Sequence, residues 1–200
     1  MLRVSVSMLD IYREWKEGED QSVADLIETL KSSTPTEAML KGRAFAKAME
    51  LLGRECEADS ITAEGYTFHF TGDFSVELFS RREEKAEKDY GGIVVSARCD
   101  RVLGSLIVDD KTTSQFDAER YEEKMQWRYY LDMWNANRFR WMVWECKEMD
   151  EPKNYCIHAL HTLNQYRYPE MERDCRDLAL DFKKFAERCL PGYPYERVKS

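Results

Sequence analysis

The segment Cys99–Thr113 holds the residues of this chain most able to do chemistry. Its sequence, CDRVLGSLIVDDKTT, is two short strand-like stretches joined by a Gly-Ser turn, and Asp100 ends the first. The second stretch ends in Asp109, Asp110 and Lys111. Because strand side chains alternate between faces, Asp109 and Lys111 are expected on one side. Acids and a lysine gathered there predict a divalent-metal site with a cation beside the reacting group, which is the chemistry of phosphodiester hydrolysis.

Two helices are expected to place further polar side chains near this segment. Apolar residues recur every four positions in the helix that follows it: Tyr121, Met125, Tyr129 and Met133. This spacing predicts one long helix from about 117 to 135. Gln126 and Tyr130 lie one turn apart and therefore share a face of that helix. An earlier helical stretch, GRAFAKAME, carries Glu50 near its end.

The remaining elements predict a mixed sheet. Helices are expected to begin at Ser7, near Ser22 and after Thr34. A hairpin is expected from strands at 65–70 and 74–79 around the turn Thr71–Asp73. Further strands are predicted at 93–99, 106–110, 139–146 and 155–161, and a last helix after Pro169. This order predicts an α/β fold in a single domain, residues 1–200, with a mixed β-sheet flanked by helices.

Composition limits the class of protein. The chain has 200 residues, 43% of them hydrophobic, which suits one domain with a sizeable core. Its net charge of -8 argues against a non-specific nucleic-acid coat protein, but an acidic metal site and a local basic track can coexist. No membrane span and no secretion signal are recognisable, so a cytoplasmic protein is expected. The six cysteines form no CxxC pair and are expected to be reduced thiols.

Taken in chain order, the polar residues resemble the PD-(D/E)xK nuclease superfamily, and within it the RecB-like and phage exonuclease branch. The resemblance spans about residues 42–130 and rests on Glu50, Asp100, the triplet Asp109-Asp110-Lys111, and the QxxxY pair Gln126 and Tyr130. A lone DxK motif is a weak signal, whereas the ordered set is fairly specific. The resemblance implies a restriction-endonuclease-like core and a Mg²⁺- or Mn²⁺-dependent deoxyribonuclease of the phage or recombination type. It favours an exonuclease acting on DNA with a free end.

The resemblance also implies which residues bind the metal. Asp100 and Asp109 would coordinate Mg²⁺ or Mn²⁺, and the main-chain carbonyl of Asp110 would add another oxygen. Glu50 would hold a metal-bound water or a second ion. Hard oxygen donors of this kind suit both cations, which usually keep several waters. A water activated by the ion would attack the phosphate.

Further roles follow from the same resemblance. Lys111 would orient the attacking water or stabilise the transition-state oxygens, and Gln126 and Tyr130 would position the site and contact the DNA backbone. Ala46 departs from the pattern, because the branch often has a histidine ligand there, four residues after the helix glycine. The resemblance is also compatible with a homo-oligomer or with a recombination or single-strand annealing partner.

Two other functions remain open from the residues alone. Ala46 and the acidic balance allow a catalytically degenerate nuclease fold that binds DNA or a protein partner. Asp109 and Lys111 also allow a non-nuclease α/β enzyme that uses them for acid–base chemistry. The same residues serve exonucleases and endonucleases alike, so they do not decide between these activities.

Other side chains near the predicted strands are given ordinary roles. The basic residues suit either phosphate contacts or a solvated strand of mixed charge: Arg81, Arg82, Lys85, Lys88, Arg98 and Arg101. The histidines are interpreted as structural: His69, His158 and His161. Four tryptophans are interpreted as packing residues rather than a platform for stacked bases: Trp127, Trp134, Trp141 and Trp144.

Overall fold

The computed structural model describes residues 1–18, 21–32, 34–52, 59–72 and 81–191. The strands within these ranges are β1 (Leu2–Ser5), β2 (Ser60–Ala63), β3 (Tyr66–Phe70), β4 (Arg81–Asp89), β5 (Ile93–Leu103), β6 (Leu106–Thr113), β7 (Arg138–Glu148) and β8 (Asn154–Tyr166). The helices are α1 (Val6–Glu17), α2 (Val23–Lys31), α3 (Glu37–Leu52), α4 (Ala118–Glu122), α5 (Gln126–Met133) and α6 (Met171–Cys189).

These strands form one mixed sheet in the order β1-β5-β6-β7-β8-β3-β2, and β4 pairs with β5 as well. The pairs β1–β5, β6–β7 and β3–β8 are parallel, and the others are antiparallel. Ser96 pairs with both β1 and β4, and Arg101 pairs with both β4 and β6. Since a strand residue has one neighbour on each side, β4 runs along one side of β5 while β1 and β6 share the other.

Helices cover both faces of the sheet. On one face, the large-core face, five helices bury a cluster that includes Leu9, Leu26, Tyr121, Tyr129 and Phe182. On the other, the small-core face, α3 packs Phe45 against Phe68 and Trp144, with ring centroids 5.1 and 5.5 Å apart. The mixed sheet between these two layers confirms the predicted α/β class.

The structure also bears on the expectations about membrane spans and cysteines. Among the described residues, no helix combines the length and the apolar character needed to cross a bilayer. The cysteines in that part of the chain are free thiols: Cys99, Cys146, Cys156, Cys175 and Cys189. Cys56 lies outside the described residues.

The first helix begins earlier than predicted. Ser5 ends β1 and caps α1, because its Oγ accepts a hydrogen bond of 3.3 Å from the backbone N–H of Met8. The prediction that Ser7 caps the helix is therefore wrong, since the pairing of β1 with β5 fixes the chain up to Ser5. The start of α2 is confirmed, where Ser22 and Asp25 form a reciprocal capping box.

The strands differ from the prediction in three places. The observed hairpin joins β2 to β3 through Glu64 and Gly65, both with positive φ. The predicted second arm at 74–79 lies outside the described residues. β1 and β4 were not anticipated. The sequence of β4, RREEKAEKD, is charged along its length and therefore lacks the apolar alternation by which strands are recognised.

The predicted long helix is broken into α4 and α5. Asp10 of α1, buried at 5% exposure, accepts a 2.6 Å hydrogen bond from the backbone N–H of Met125. In a continuous helix that N–H would donate to the carbonyl of Tyr121. The indole of Trp127 donates to the carbonyl of Glu122 at 2.9 Å and so satisfies one group freed by the break. Asp10 therefore determines where α5 begins.

Asp10 makes the stability of the fold pH-dependent. Burial raises its pKa from 3.8 to about 6, although Lys124 and the Met125 N–H oppose the shift. Its contribution to stability is complete below pH 4 and is lost as the pH rises through 6, because the folded state holds the proton more tightly. Asp10→Asn keeps the acceptor and removes the charge. We expect it to match wild type at pH 4 and to exceed it at pH 7.5 by about 1–3 kcal/mol in urea unfolding.

Asp10→Ala provides the control, because it removes both the charge and the acceptor. It is expected to be less stable than Asp10→Asn by about 1–3 kcal/mol at either pH, the effect of a buried N–H left without a partner. A constant deficit of Asp10→Asn relative to wild type from pH 4 to 7.5 would contradict this account of Asp10.

Candidate functional site

The candidate site lies where the sheet divides. β1 pairs with β5 as far as Ser96, and β6 pairs with it from Arg101 onward, on the same side. No described strand pairs with residues 97–100 of β5 on that side. Tyr130 of α5 reaches into this fork and donates a 2.6 Å hydrogen bond to the main-chain carbonyl of Arg98. A side chain thus satisfies a backbone group that the divided sheet leaves without a ladder partner.

Asp100 lies at the point where β6 separates from β5. Cys99 and Val102 both belong to the large core, whereas Arg101 contacts Asp110 and Met142 on the small-core face. Strict alternation is therefore broken around Asp100, a type of irregularity common next to active sites. The Asp100 carboxylate accepts a 2.9 Å hydrogen bond from the backbone N–H of Asp110. This bond ties Asp100 to the DDK triplet across the fork.

Asp109 is the centre of the side-chain network. It is 2% exposed, and its Oδ2 forms an ion pair with Lys111 Nζ. Its Oδ1 accepts a 3.0 Å hydrogen bond from Gln126 Nε2, which also donates to Tyr130 Oη at 2.9 Å. A directed chain of hydrogen bonds therefore runs from Gln126 through Tyr130 to the carbonyl of Arg98. The QxxxY pair fixes one oxygen of Asp109, as its one-turn spacing on α5 permits.

The electrostatics of the site favour an additional cation. Burial raises the pKa of Asp109 above its usual range, Lys111 opposes the shift, and Asp100 adds to it. Burial lowers the pKa of Lys111, but the negative charge of Asp109 and Asp100 outweighs this effect, and the net shift is upward. Two carboxylates and one ammonium leave one uncompensated negative charge when all three are ionised. A hard dication with oxygen ligands fits that donor set.

The side chain of Asp110 points to the opposite face of the sheet. Its Oδ1 accepts hydrogen bonds from Arg101 Nη2 at 2.6 Å and from Trp144 Nε1 at 2.8 Å. Both members of the Arg101–Asp110 ion pair are buried. Asp110 therefore holds β5 and β7 to β6 from behind. The metal role predicted for it concerned the main-chain carbonyl and stays a prediction.

Glu50 lies on α3, which packs on the small-core face. Its Oε2 accepts a 2.7 Å hydrogen bond from Lys47 Nζ, and its side chain is half-buried. Across the described ranges, no three acidic, histidine or cysteine side chains are grouped closely enough to hold a metal together. The structure thus joins Asp100, Asp109, Lys111, Gln126 and Tyr130 in one network. The metal-binding role of Glu50 stays a prediction.

Sequence reasoning missed two features of the site. Arg101 was interpreted as a phosphate contact or a solvated residue, but it is 3% exposed and pairs with Asp110, so that interpretation is wrong. The carbonyl of Arg98 was not considered, because a main-chain acceptor leaves no signal in side-chain identity.

Comparison with known proteins relates this architecture to solved structures. No protein-family model and no curated protein matches the chain. The chain is similar to SSO0001 at 14% identity, with a TM-score of 0.51 over 92% of this chain and 76% of that one. It is also similar to a phage-related exonuclease from Haemophilus somnus 129PT, at 14% identity and a TM-score of 0.48 over 94% of this chain and 96% of that one.

A third similar structure is LHK-Exo in complex with dAMP, at 10% identity and a TM-score of 0.42 over 94% of this chain and 93% of that one. At these identities the likeness is one of fold. The likeness to SSO0001 and the eight-stranded mixed sheet agree with the α/β class, a mixed sheet flanked by helices, that was expected from the sequence.

Gln126 and Tyr130 are expected to be energetically coupled. Tyr130→Phe removes a hydroxyl that serves both Gln126 and the Arg98 carbonyl, and we expect a loss of about 1–3 kcal/mol in the free energy of unfolding. In a double-mutant cycle with Gln126→Leu, the coupling energy is expected to be about 0.5–3 kcal/mol.

Tyr129→Phe is the matched control for this cycle. Its hydroxyl donates to the carbonyl of Cys175 at 2.6 Å and shares no partner with Gln126. It is expected to destabilise the fold to a similar extent but to add to Gln126→Leu within about 0.5 kcal/mol. Equal additivity for both tyrosines would rule out the directed chain of hydrogen bonds.

Proposed function

We propose that the chain is a metal-dependent deoxyribonuclease, because its ordered acids, lysine and QxxxY pair resemble the motif of the PD-(D/E)xK nucleases. The observation that supports this most directly is the network at the fork. There, buried Asp109 is paired with Lys111, and Asp100 is tied to the neighbouring backbone at 2.9 Å. These are the positions of the ordered motif. Its phage exonuclease branch favours an exonuclease acting on DNA with a free end.

Asp100 and Asp109 would hold Mg²⁺ or Mn²⁺, with the main-chain carbonyl of Asp110 as a further oxygen, and Glu50 would hold a metal-bound water or a second ion. When bound, such an ion acts as a Lewis acid, lowering the pKa of a water and neutralising charge on the phosphate. The chain's own residues prepare this chemistry. Gln126 fixes the orientation of Asp109, and Tyr130 fixes Gln126 in turn.

Lys111 would act on the phosphate itself. Its ammonium now neutralises Asp109 and lies 5.4 Å from the centroid of the Trp141 ring, while a third of its side chain is exposed. If Asp109 served as a metal ligand, Lys111 would no longer be needed to neutralise it and could face the substrate. There it would stabilise the negative charge that grows on the phosphate oxygens in the transition state, where a preorganised cation has its largest effect.

A catalytically degenerate fold is the second candidate. Ala46 stands where the branch often has a histidine ligand, and Glu50 is paired with Lys47 on the small-core face. A protein of this kind would bind DNA or a protein partner without cutting DNA.

Cleavage of linear DNA in Mg²⁺ separates the two candidates. Wild type is expected to release nucleotides in Mg²⁺ and to stop in excess chelator, and Asp109→Asn is expected to lose more than about 100-fold in rate. Asp181→Asn is the matched control, because Asp181 is also paired with a lysine, Lys16 at 2.6 Å, but lies on α6 away from the fork. Equal trace product from wild type and Asp109→Asn would overturn the proposal. Turnover of a substrate without phosphate in chelator would support the acid–base enzyme instead.

Lys111→Ala is expected to affect turnover much more than DNA affinity, because the ammonium acts mainly in the transition state. We expect a loss of about 100- to 1,000-fold in single-turnover cleavage with Mg²⁺. The Kd for DNA, measured in Ca²⁺, is expected to change by less than about fivefold. Ca²⁺ should permit binding and suppress cleavage, since its looser coordination positions water poorly. Equal losses in rate and affinity would make Lys111 a binding residue only.

A further inference from the structure

A ladder of aromatic rings runs from the candidate site to the surface of the large-core face. It begins at Trp141, whose ring lies 5.4 Å from Lys111 Nζ. Tyr121 packs against Trp141 with ring centroids 5.6 Å apart, and Phe116 stacks on Tyr121 at 6.1 Å. The ladder ends where Phe116 and His161 stack in parallel, 4.0 Å apart. Trp141 and Tyr121 are buried, whereas the last two rings are partly exposed.

The outer end of the ladder is held rigidly. His161 Nε2 lies 2.8 Å from Glu145 Oε2, and the other oxygen of Glu145 lies 3.9 Å from His158 Nε2. The loop that carries Phe116 is closed by Thr113, whose hydroxyl donates to the carbonyl of Gln115 at 2.6 Å and accepts its N–H at 3.2 Å. A preorganised aromatic surface loses little conformational entropy when it binds a ligand.

The register of the sheet gives the distance from the site. Lys111 pairs with Val143, and Val143 pairs with His161. Cross-strand partners project to the same face, and two strand spacings amount to about 10 Å. That distance corresponds to a few nucleotides at about 3.4 Å of rise each. The partly exposed rings of Phe116 and His161 therefore lie within reach of a base that is close to a phosphate held at Lys111.

The charge of the chain favours stacking as the mode of contact. With a net charge of -8, the protein is poorly suited to hold DNA by general electrostatic attraction. Aromatic rings bind any unpaired base through its π-face and do not depend on net charge. We propose that His161, the outermost ring of the ladder, supported from behind by Phe116, forms a stacking subsite for an unpaired base near the scissile phosphate. The preferred substrate is then a single strand or a frayed DNA end. This inference rests on the proposed nuclease function and specifies its substrate.

The test measures binding of a fluorescent single-stranded DNA octamer in Ca²⁺, by anisotropy, with an abasic site placed at each position in turn. In wild type, one abasic position is expected to weaken binding by about 5- to 150-fold, the range for loss of one base–aromatic stack. Phe116→Ala is expected to weaken binding of the intact octamer by a similar factor. In this variant the same abasic position should cause no additional loss.

Conservative variants separate stacking from folding. Phe116→Trp and His161→Phe keep a ring and are expected to bind within about threefold of wild type, whereas His161→Ala is expected to be weaker. Tyr166→Ala is the control, because this exposed tyrosine lies on the same strand, paired with Arg138 at the far end from the subsite. Its binding is expected to match wild type, and thermal melting is expected to show that every variant is folded at the assay temperature.

The outcomes distinguish this inference from the proposed function. Unchanged binding by Phe116→Ala, or an equal loss with intact and abasic DNA, would overturn the stacking subsite even if wild type cleaves DNA. Position-specific loss at one abasic site that disappears in Phe116→Ala would support it even if no cleavage in Mg²⁺ is found. Absence of single-strand binding by wild type would also overturn it.

Discussion

The architecture around the fork depends on stabilising the buried negative charge of Asp109. An isolated buried carboxylate is destabilising by several kcal/mol unless an opposite charge and hydrogen-bond donors accompany it. Lys111 supplies the charge and Gln126 supplies a donor. Gln126 can do so because it is the first residue of α5, which begins beside Asp109. The start of that helix is set by Asp10. The environment of Asp109 therefore depends on three elements: α1, which carries Asp10, the divided sheet, and α5.

Asp109 and Asp110, which are adjacent in β6, lie on opposite faces of the sheet because strand side chains alternate. Asp109 faces the large core and the partly exposed Lys111, and Asp110 faces Arg101 and Trp144 inside the small core. The first is part of the network with Lys111 and Gln126. The second is closed off by a buried ion pair and an indole, and it makes the strand rigid. The same triplet thus supplies both the centre of the network and a buried ion pair that supports its strand.

The sequence allowed the fold class and the network members to be predicted, because the ordered acids, the lysine and the QxxxY pair are local patterns. Their proximity across the fork follows from a hairpin and one helix turn. The broken helix could not be predicted, since Met125 loses its helical acceptor to Asp10, 115 residues earlier in the chain. β4 was missed because its mostly charged sequence shows no alternation of apolar and polar residues. Arg101 was misinterpreted because its burial depends on Asp110, nine residues later in the chain.

The bond between Asp10 and Met125 also has a consequence for the order in which the protein is built. During synthesis the acceptor leaves the ribosome long before its donor, and the parallel pairing of β1 must wait for β5. Contacts this distant in sequence form late in folding. A nascent or truncated chain that lacks α5 therefore lacks the hydrogen bonds of Gln126 and Tyr130 in the network. A nuclease site of the kind we propose would therefore be complete only after α5 has been synthesised.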